Sequence, residues 1–303
     1  MIWSDVAERP SERSVRVAIR RYRAATLAEA TDEVAAEEPF EIRVAGRPIA
    51  LIMRTPGADH FLTLGFLFAE GIIHAAADVR EVAFARDRDG FPQGNVLELR
   101  LRSETEASER LGKRNFVTTS SCGLCGTASI EAAQLRLETN NDANPITAAV
   151  LLGLDATLRA AQAVFSRTGG LHAAGLFDGD GKLLAIHEDV GRHNAVDKVV
   201  GEMLLAERLP LVRTALLVSG RASFELVQKA ALAGIPVLAA IGAPSSLAVE
   251  LAEASGVTLV GMLRRGHFVV YSRPERVIAS EVDTDQSLES ASAHCSPAGR
   301  DVE

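Results

Sequence analysis

Two cysteines, Cys122 and Cys125, are the residues of this 303-residue chain whose type and spacing most directly indicate chemistry. They form a C-x-x-C pair, and a glycine follows each of them. Because glycine tolerates positive φ, the backbone there can fold tightly around the sulfur atoms and let a partner approach. Serines and threonines before the pair predict a loop. A helix is predicted from Ala128, and the free N–H groups of a helix N-terminus favour a thiolate.

Four interpretations of the cysteine pair are open. A structural zinc site needs about four ligands, but the third cysteine, Cys295, lies in a polar tail and the seven histidines are scattered. A thioredoxin-type redox pair usually lies between a strand and a helix, without glycine after both cysteines. The cysteines can also be small buried hydrophobic residues. The glycine-rich, hydroxyl-rich surroundings favour the fourth interpretation, a reactive thiolate that carries or transfers a group.

Composition excludes several classes of protein. The net charge of −8 argues against non-specific nucleic-acid binding, which requires a basic face. No run of about twenty apolar residues is present, so the sequence predicts no transmembrane helix and no membrane partner. Arg20 and Arg21 precede an acidic segment rather than an apolar one, which argues against a twin-arginine signal. We therefore expect a cytoplasmic protein, where a C-x-x-C pair is more often catalytic or metal-binding than a structural disulfide.

The pattern of hydrophobic residues divides the chain into five segments. In order they are a polar N-terminal segment (1–36), a small α+β domain (37–115), the cysteine loop (116–127), an α/β domain (128–279) and a tail expected to be disordered (280–303).

In the first half, alternating residues predict an edge strand over 15–23 and a β-hairpin over 40–53 that turns at Ala45-Gly46. Apolar residues at helical spacing predict a helix over 60–70, with Asp59 as its N-cap. Two further strands are predicted, at 82–84 and 96–101.

In the second half, strands and helices alternate, which predicts βαβ crossovers and a mostly parallel sheet. A long helix over 146–166 and a hairpin over 172–188 precede this part. The predicted short strands are 214–218, 237–240 and 258–260, and the predicted helices are 194–207, 224–233 and 247–254.

Polar loops follow the three predicted strands, and ligands of open α/β sheets bind beyond the carboxyl ends of strands. These loops contain Ser219, Gly220 and Arg221, then Ser245, and finally Arg264 and Arg265. Backbone N–H groups and hydroxyls before a helix can hold an anion, and the arginines can neutralise a diphosphate. No P-loop and no G-x-G-x-x-G motif is present, so an ATPase or a Rossmann dehydrogenase is not indicated.

A second polar concentration spans residues 187–198 and has two interpretations. Its histidines, carboxylates and arginine can form an acid–base centre at a strand-to-helix turn. Alternatively, Asn194 caps the following helix while Asp189, Arg192 and Asp197 pair among themselves.

Several motifs together carry a resemblance to a known family. They are Ser-Ser-Cys-Gly-Leu-Cys-Gly at 120–126, Gly-Gly-Leu-His-Ala-Ala at 169–174, Glu-Asp-Val-Gly-Arg-His-Asn-Ala-Val-Asp-Lys at 188–198, and Ser-Gly-Arg-Ala-Ser-Phe-Glu-Leu-Val-Gln-Lys at 219–229. Segments 53–57 and 64–73 match as well. The chain from about Phe40 to Arg276 resembles the FdhD family, the formate dehydrogenase accessory sulfurtransferases.

The resemblance implies a cytoplasmic sulfur carrier, usually a homodimer, that receives sulfur from a cysteine desulfurase. It implies delivery of that sulfur to the molybdenum or tungsten bis-guanine-dinucleotide cofactor of formate dehydrogenase. Cys122 is then the persulfide carrier, and Cys125 assists it. The implied cofactor-binding residues are Met262, Leu263, Arg264, Arg265, Gly266 and His267, with Ser219, Gly220, Arg221 and Ser245 as weaker candidates.

The implied fold is a cytidine-deaminase-like α/β domain with a parallel or mixed sheet, joined to a small N-terminal α+β domain. The zinc-deaminase motif is missing, because Ala173 and Ala174 follow His172 and no Pro-Cys-x-x-Cys is present. We therefore expect no structural metal. The alternative function is a non-catalytic chaperone that binds the cofactor and formate dehydrogenase without carrying sulfur.

Overall fold

The structure is a computed structural model, and it describes residues 12–86, 88–89, 92–103, 139–140, 142 and 144–279. The cysteine loop with Cys122 and Cys125, the helix predicted from Ala128, and the C-terminal tail with Cys295 lie outside the described residues.

The strands of the described residues are numbered in chain order. They are β1 (Ser14–Arg23), β2 (Thr26–Ala35), β3 (Glu38–Val44), β4 (Arg47–Arg54), β5 (Val79–Arg86), β6 (Pro92–Leu101), β7 (Ile146–Thr147), β8 (His172–Asp178), β9 (Leu183–Asp189), β10 (Thr214–Val218), β11 (Val237–Ala240), β12 (Thr258–Arg264), β13 (His267–Val270) and β14 (Val277–Ile278). The α-helices are α1 (Asp59–Ala69), α2 (Ala148–Ala161), α3 (Ala163–Thr168), α4 (Arg192–Leu205), α5 (Phe224–Leu232) and α6 (Ser246–Ser255). No helix among these residues is long and apolar enough to cross a membrane.

The N-terminal part forms a hairpin and a small sheet. β1 pairs with β2 in a separate antiparallel hairpin, so the predicted strand over 15–23 is confirmed, whereas its partner was not predicted because β2 is polar and mostly exposed. The next four strands form a sheet in the order β4-β3-β6-β5. The predicted turn at Ala45-Gly46 is confirmed, and both residues have the positive φ of a tight hairpin turn.

Helix α1 confirms the predicted helix, but Asp59 is not its N-cap. Ala58 occupies the cap position, and Asp59 instead accepts hydrogen bonds from the Arg54 guanidinium at 2.9 and 3.0 Å. Both side chains are almost completely buried. The charge of Arg54 therefore determines the conformation of Asp59.

The predicted helix over 146–166 is wrong in one respect, because the chain forms two helices separated at Gln162. Gln162 leaves helical geometry, and the N–H groups of Val164 and Phe165 donate to the Glu188 carboxylate at 3.0 and 2.7 Å. This buried carboxylate caps a new helix, α3, which a hydrophobic pattern does not indicate.

The large sheet has six strands in the order β13-β12-β11-β10-β8-β9. The central strands β10, β11 and β12 are parallel, as predicted from the alternating elements. The flanking strands β8, β9 and β13 are antiparallel to their neighbours, so the sheet is mixed rather than mostly parallel. The core that includes α4, α5 and α6 covers one face, and α2 contributes to the core on the other face.

Helix α1 packs closely against α4 at two glycines, Gly65 in α1 and Gly201 in α4. A Cβ atom at Gly201 would overlap the carbonyl oxygen of Phe61, and one at Gly65 would overlap the carbonyl oxygen of Asp197. Backbone atoms cannot rotate away as a side chain can. The two helices can therefore pack this closely only with glycine at both positions.

We expect Gly201→Ala to lower the free energy of unfolding by about 1–3 kcal/mol, because the added methyl forces the two helices apart. The matched control is Gly153→Ala in α2, where a Cβ atom meets open space. In that helix, alanine should be neutral or stabilising by up to about 1 kcal/mol. Urea unfolding of both variants measures the difference, and equal effects would contradict close packing at Gly201.

Candidate functional site

The parallel strands all end at one edge of the large sheet. After β11, Gly242 donates its N–H to the carbonyl of Gly220, and Met262 donates to the carbonyl of Gly242, at 2.9 and 3.0 Å. Strand β8 begins at the same edge, since Ala174 pairs with Val218. We call this edge, together with the N-termini of α4, α5 and α6, the carboxyl edge.

The predicted cofactor-binding segment lies across a bulge in β12 and the turn into β13. Met262 has a φ of 55°, a left-handed conformation that residues with a Cβ seldom adopt. The register of β12 shifts between Gly261 and Arg264, and such bulges re-aim the side chains near them. As a result, four residues of this segment are exposed at the carboxyl edge: Arg264, Arg265, Gly266 and His267.

Leu263 belongs to the same segment, but its side chain points into the protein. It is 0% exposed and packs in the core to which α2 contributes. A ligand at this edge can therefore contact Leu263 only through its backbone.

The weaker candidates lie together at the centre of the edge. The Ser219 hydroxyl oxygen accepts a hydrogen bond from the N–H of Ala173 at 2.9 Å. Arg221 is exposed and has no hydrogen bond or ion pair with any described residue. Ser245 has a structural role, because its hydroxyl oxygen accepts the N–H of Ala248 at 3.3 Å and caps α6.

Two glycines of this edge differ in what surrounds them: Gly242 packs against backbone, and Gly220 faces side chains. A Cβ atom at Gly242 would lie 3.0 Å from the Gly220 carbonyl oxygen and 3.1 Å from the Arg221 Cα. One at Gly220 would lie 3.4 Å from two atoms of the His172 ring. Gly242 therefore keeps the two loops close together, and Gly220 leaves the space beside His172 open.

Most of the polar segment 187–198 stabilises the fold. Asp189 pairs with Lys198 at 2.7 Å, and both side chains are buried. Lys198 also donates to the carbonyl oxygen of Thr55 at 2.9 Å, and the N–H of Thr55 donates to Asp189 at 3.2 Å. The Asn194 amide donates to Met53 and to Asp189, both at 2.8 Å. This network ties the end of β4 to the start of α4.

The structure corrects the second interpretation of this segment in its details. Asn194 is not the cap, since Gly191 occupies that position. Asp189 and Asp197 do not pair with Arg192: Asp189 pairs with Lys198, and Asp197 pairs with Lys229 at 2.6 Å.

Two other groups of this segment also have structural partners. His187 contacts Glu202 at 2.8 Å, and Glu188 caps α3. An acid–base centre built on His187, Glu188 and Asp189 therefore has no support in the structure.

A buried chain of polar groups lies behind the carboxyl edge. The His193 ring lies 3.1 Å from the Ser223 hydroxyl and 3.5 Å from Glu225, and Glu225 lies 3.3 Å from Lys229. Burial lowers the pKa of His193 to about 4, so this ring is neutral at neutral pH. Burial also lowers the pKa of Lys229, but Asp197 and Glu225 raise it by more, and Lys229 stays charged.

His172 and Arg192 complete the carboxyl edge. The His172 Nδ1 atom lies 3.4 Å from the Ser219 hydroxyl oxygen, and burial lowers the pKa of this histidine. Neither residue was predicted as a ligand contact. The antiparallel direction of β8 places His172 at this edge, and the sequence gives no signal for that direction.

The described residues also line a cavity of about 480 Å³ at the opposite end of the sheet, bordered by Asp178, Arg213 and Pro236. It contains none of the predicted site residues. The carboxyl edge has exposed arginines (Arg221, Arg264 and Arg265) together with His172 and Ser219. These charged and polar groups favour the carboxyl edge as the functional site.

Comparisons with known proteins agree with the sequence motifs. Residues 35–278 match the model of the FdhD/NarQ family. A protein of Mycolicibacterium paratuberculosis named sulfur carrier protein FdhD is 54% identical over 245 residues, which cover 80% of this chain and 90% of that protein. A protein of Sulfolobus acidocaldarius with the same name is 44% identical over 262 residues, 86% of this chain and 98% of that one.

A similar fold is found among solved structures. The crystal structure of a formate dehydrogenase accessory protein from Desulfotalea psychrophila has a TM-score of 0.68 and 28% sequence identity. The match covers 88% of this chain and 100% of that one. The mixed α/β fold described above is thus shared with that protein.

Proposed function

The chain belongs to the FdhD/NarQ family, and we propose that it carries sulfur as a persulfide on Cys122 and delivers it to a guanine-dinucleotide form of the molybdenum or tungsten cofactor. The donor in this proposal is a cysteine desulfurase, and the cofactor is destined for formate dehydrogenase. Relatives named as sulfur carriers and a structural neighbour described as a formate dehydrogenase accessory protein support this proposal.

The observation that carries the proposal is the cationic carboxyl edge of an acidic protein. The chain has a net charge of −8, yet three exposed arginines at this edge have side chains without a hydrogen bond or ion pair to any described residue: Arg221, Arg264 and Arg265. Guanidinium groups bind phosphate oxygens through paired, charge-assisted hydrogen bonds. A dinucleotide has a diphosphate, so its charge and shape match these groups.

The proposed sulfur chemistry uses the cysteine pair. The Cys122 thiolate attacks the terminal sulfur of a persulfide on the donor, the S–S bond of the donor breaks, and the donor leaves as a thiolate. The Cys125 thiolate then attacks the Cys122 sulfur and releases the terminal sulfur as sulfide to the acceptor. This step leaves a Cys122–Cys125 disulfide, which a cellular dithiol reduces before the next cycle.

Binding of GDP, as a fragment of the proposed acceptor, tests the site. We expect GDP to bind with an affinity that falls as salt rises, because screening weakens the attraction between arginine and phosphate. Replacing both Arg264 and Arg265 with alanine should weaken binding by about 2 kcal/mol, which is less than the roughly 3 kcal/mol of two charged hydrogen bonds because the turn is exposed.

The control for this experiment replaces Arg208 and Arg213 with alanine. Both are exposed, and both line the cavity at the opposite end of the sheet. This variant should bind GDP as the wild type does. A well-folded Arg264/Arg265 variant with wild-type affinity would place the diphosphate elsewhere.

A further inference from the structure

We propose that Arg192, together with His172 and Ser219, forms a second phosphate-binding subsite on the carboxyl edge. This inference rests on the proposed function and extends it, because it assigns a second group of the acceptor to other residues of the same edge. Strand β8 lies three strand positions from β12 in the sheet, which corresponds to about 14 Å between the strands. The subsite lies where β8 begins and α4 begins.

The main observation is the state of the Arg192 guanidinium. Its Nε atom is buried and has no hydrogen-bond partner. The Arg192 side chain makes no hydrogen bond or ion pair with any described residue, and its charge is attracted to Glu225 without direct contact. Buried donors in folded proteins are nearly always satisfied, and a group that is not calls for an explanation such as an absent ligand or water.

The nearby carboxylates do not satisfy Arg192, because lysines already bind them. Lys198 pairs with Asp189 at 2.7 Å, and Lys229 lies 3.3 Å from Glu225. Glu225 is also in contact with His193. The positive charge of Arg192 is therefore available to an anion from outside the chain.

The geometry beside Arg192 leaves room for that anion. A Cβ atom at Gly220 would lie 3.6 Å from the Arg192 Cδ and 3.4 Å from the His172 Nδ1 and Cε1 atoms. Any larger residue at position 220 would therefore fill the space between Arg192 and His172. Ser219 lies beside it, and its hydroxyl oxygen is 3.4 Å from the His172 Nδ1 atom.

The donor set favours a phosphate over other anions. The guanidinium fork matches two oxygens of a phosphate group. The Ser219 hydroxyl accepts from the N–H of Ala173, which leaves its own hydrogen to donate. The His172 ring lies beside this hydroxyl, at 3.4 Å, and can contribute a further N–H to the same anion. The proposed acceptor has two dinucleotides and hence two diphosphates, so one can bind at Arg264 and Arg265 and the other at Arg192.

Calorimetric titration with inorganic pyrophosphate and with GDP tests the subsite. We expect the wild type to bind pyrophosphate at two sites, one at Arg264 and Arg265 and one at Arg192. In Arg192→Met, binding at the second site should weaken at least tenfold, and the salt dependence of total binding should become shallower. Arg208→Met, at the opposite end of the sheet, should bind as the wild type does.

Thermal unfolding separates ligand binding from a structural role. Because the Arg192 side chain has no hydrogen bond or ion pair with the residues that the structure describes, Arg192→Met should not lower the unfolding midpoint without ligand. It should reduce the increase in the midpoint that pyrophosphate causes. A lower midpoint without ligand, together with wild-type affinity, would show a structural role and overturn the inference. If Arg192→Met does not fold, Arg192→Lys keeps the charge but loses the fork, and wild-type pyrophosphate affinity in that variant would overturn the inference too.

The two proposals fail in different ways. If GDP binding depends on Arg264 and Arg265 but pyrophosphate binding is unchanged in Arg192→Met, the second subsite is wrong and the proposed function stands. If the wild type binds neither GDP nor pyrophosphate, the carboxyl edge is not a phosphate site, and both proposals fail.

Discussion

Replacing Lys198 with methionine should lower the free energy of unfolding by about 3–5 kcal/mol, because it leaves the buried carboxylate of Asp189 without its countercharge. The two side chains are 1% and 0% exposed and lie 2.7 Å apart, so water cannot replace the lysine. Loss of the hydrogen bond to Thr55 adds to the effect, since that bond ties β4 to α4. Urea denaturation followed by circular dichroism measures the change.

Two further variants isolate the cause of this effect. Lys182→Met, at an exposed position in the β8–β9 turn, should change stability by less than about 0.5 kcal/mol. The double variant Asp189→Asn, Lys198→Met removes both charges and should be more stable than Lys198→Met alone. A double variant with a lower free energy of unfolding than Lys198→Met alone would contradict this explanation. The unpaired charge of Asp189 would then not be the cause of the lost stability.

Much of the fold could be predicted because many strands and turns are determined by residues adjacent in the sequence. The strands at 214–218 and 237–240 have the predicted bounds, since short apolar runs between helices are typical of buried parallel strands. The hairpin at Ala45-Gly46 is likewise determined by its own turn. The break at Gln162 and the antiparallel direction of β8 depend on residues distant in sequence, such as Glu188, and no local pattern indicates them.

The candidate site could be predicted only in part. The loops after the parallel strands lie at one edge, as expected, because that follows from strand direction. The roles of single residues could not be predicted from strand direction. Ser245 caps a helix and the Leu263 side chain is in the core, while Arg192 lacks the pairing expected for it. Such roles depend on which side chains share a buried contact, and one sequence does not contain that information.

Sulfur loading should depend completely on one cysteine. A persulfide forms only at a thiolate that can reach the donor sulfur, and we expect the glycines that follow Cys122 and Cys125 in the sequence to let the donor approach. Cys122→Ala should therefore gain no sulfur, an all-or-none effect. Cys295→Ala is the matched control and should load as the wild type does. Cys125→Ala should load sulfur but retain it, because the thiol that releases the sulfur is missing.

Intact-mass spectrometry after incubation with a cysteine desulfurase and cysteine tests the sulfur-carrier proposal most directly. The proposal predicts that the wild type gains one sulfur, about 32 Da, which a reductant removes, and that Cys122→Ala gains none. Sulfur on Cys122→Ala but not on Cys125→Ala would reverse the two assignments. An unchanged wild-type mass, with a desulfurase that is itself loaded with sulfur, would contradict the claim that this protein carries sulfur.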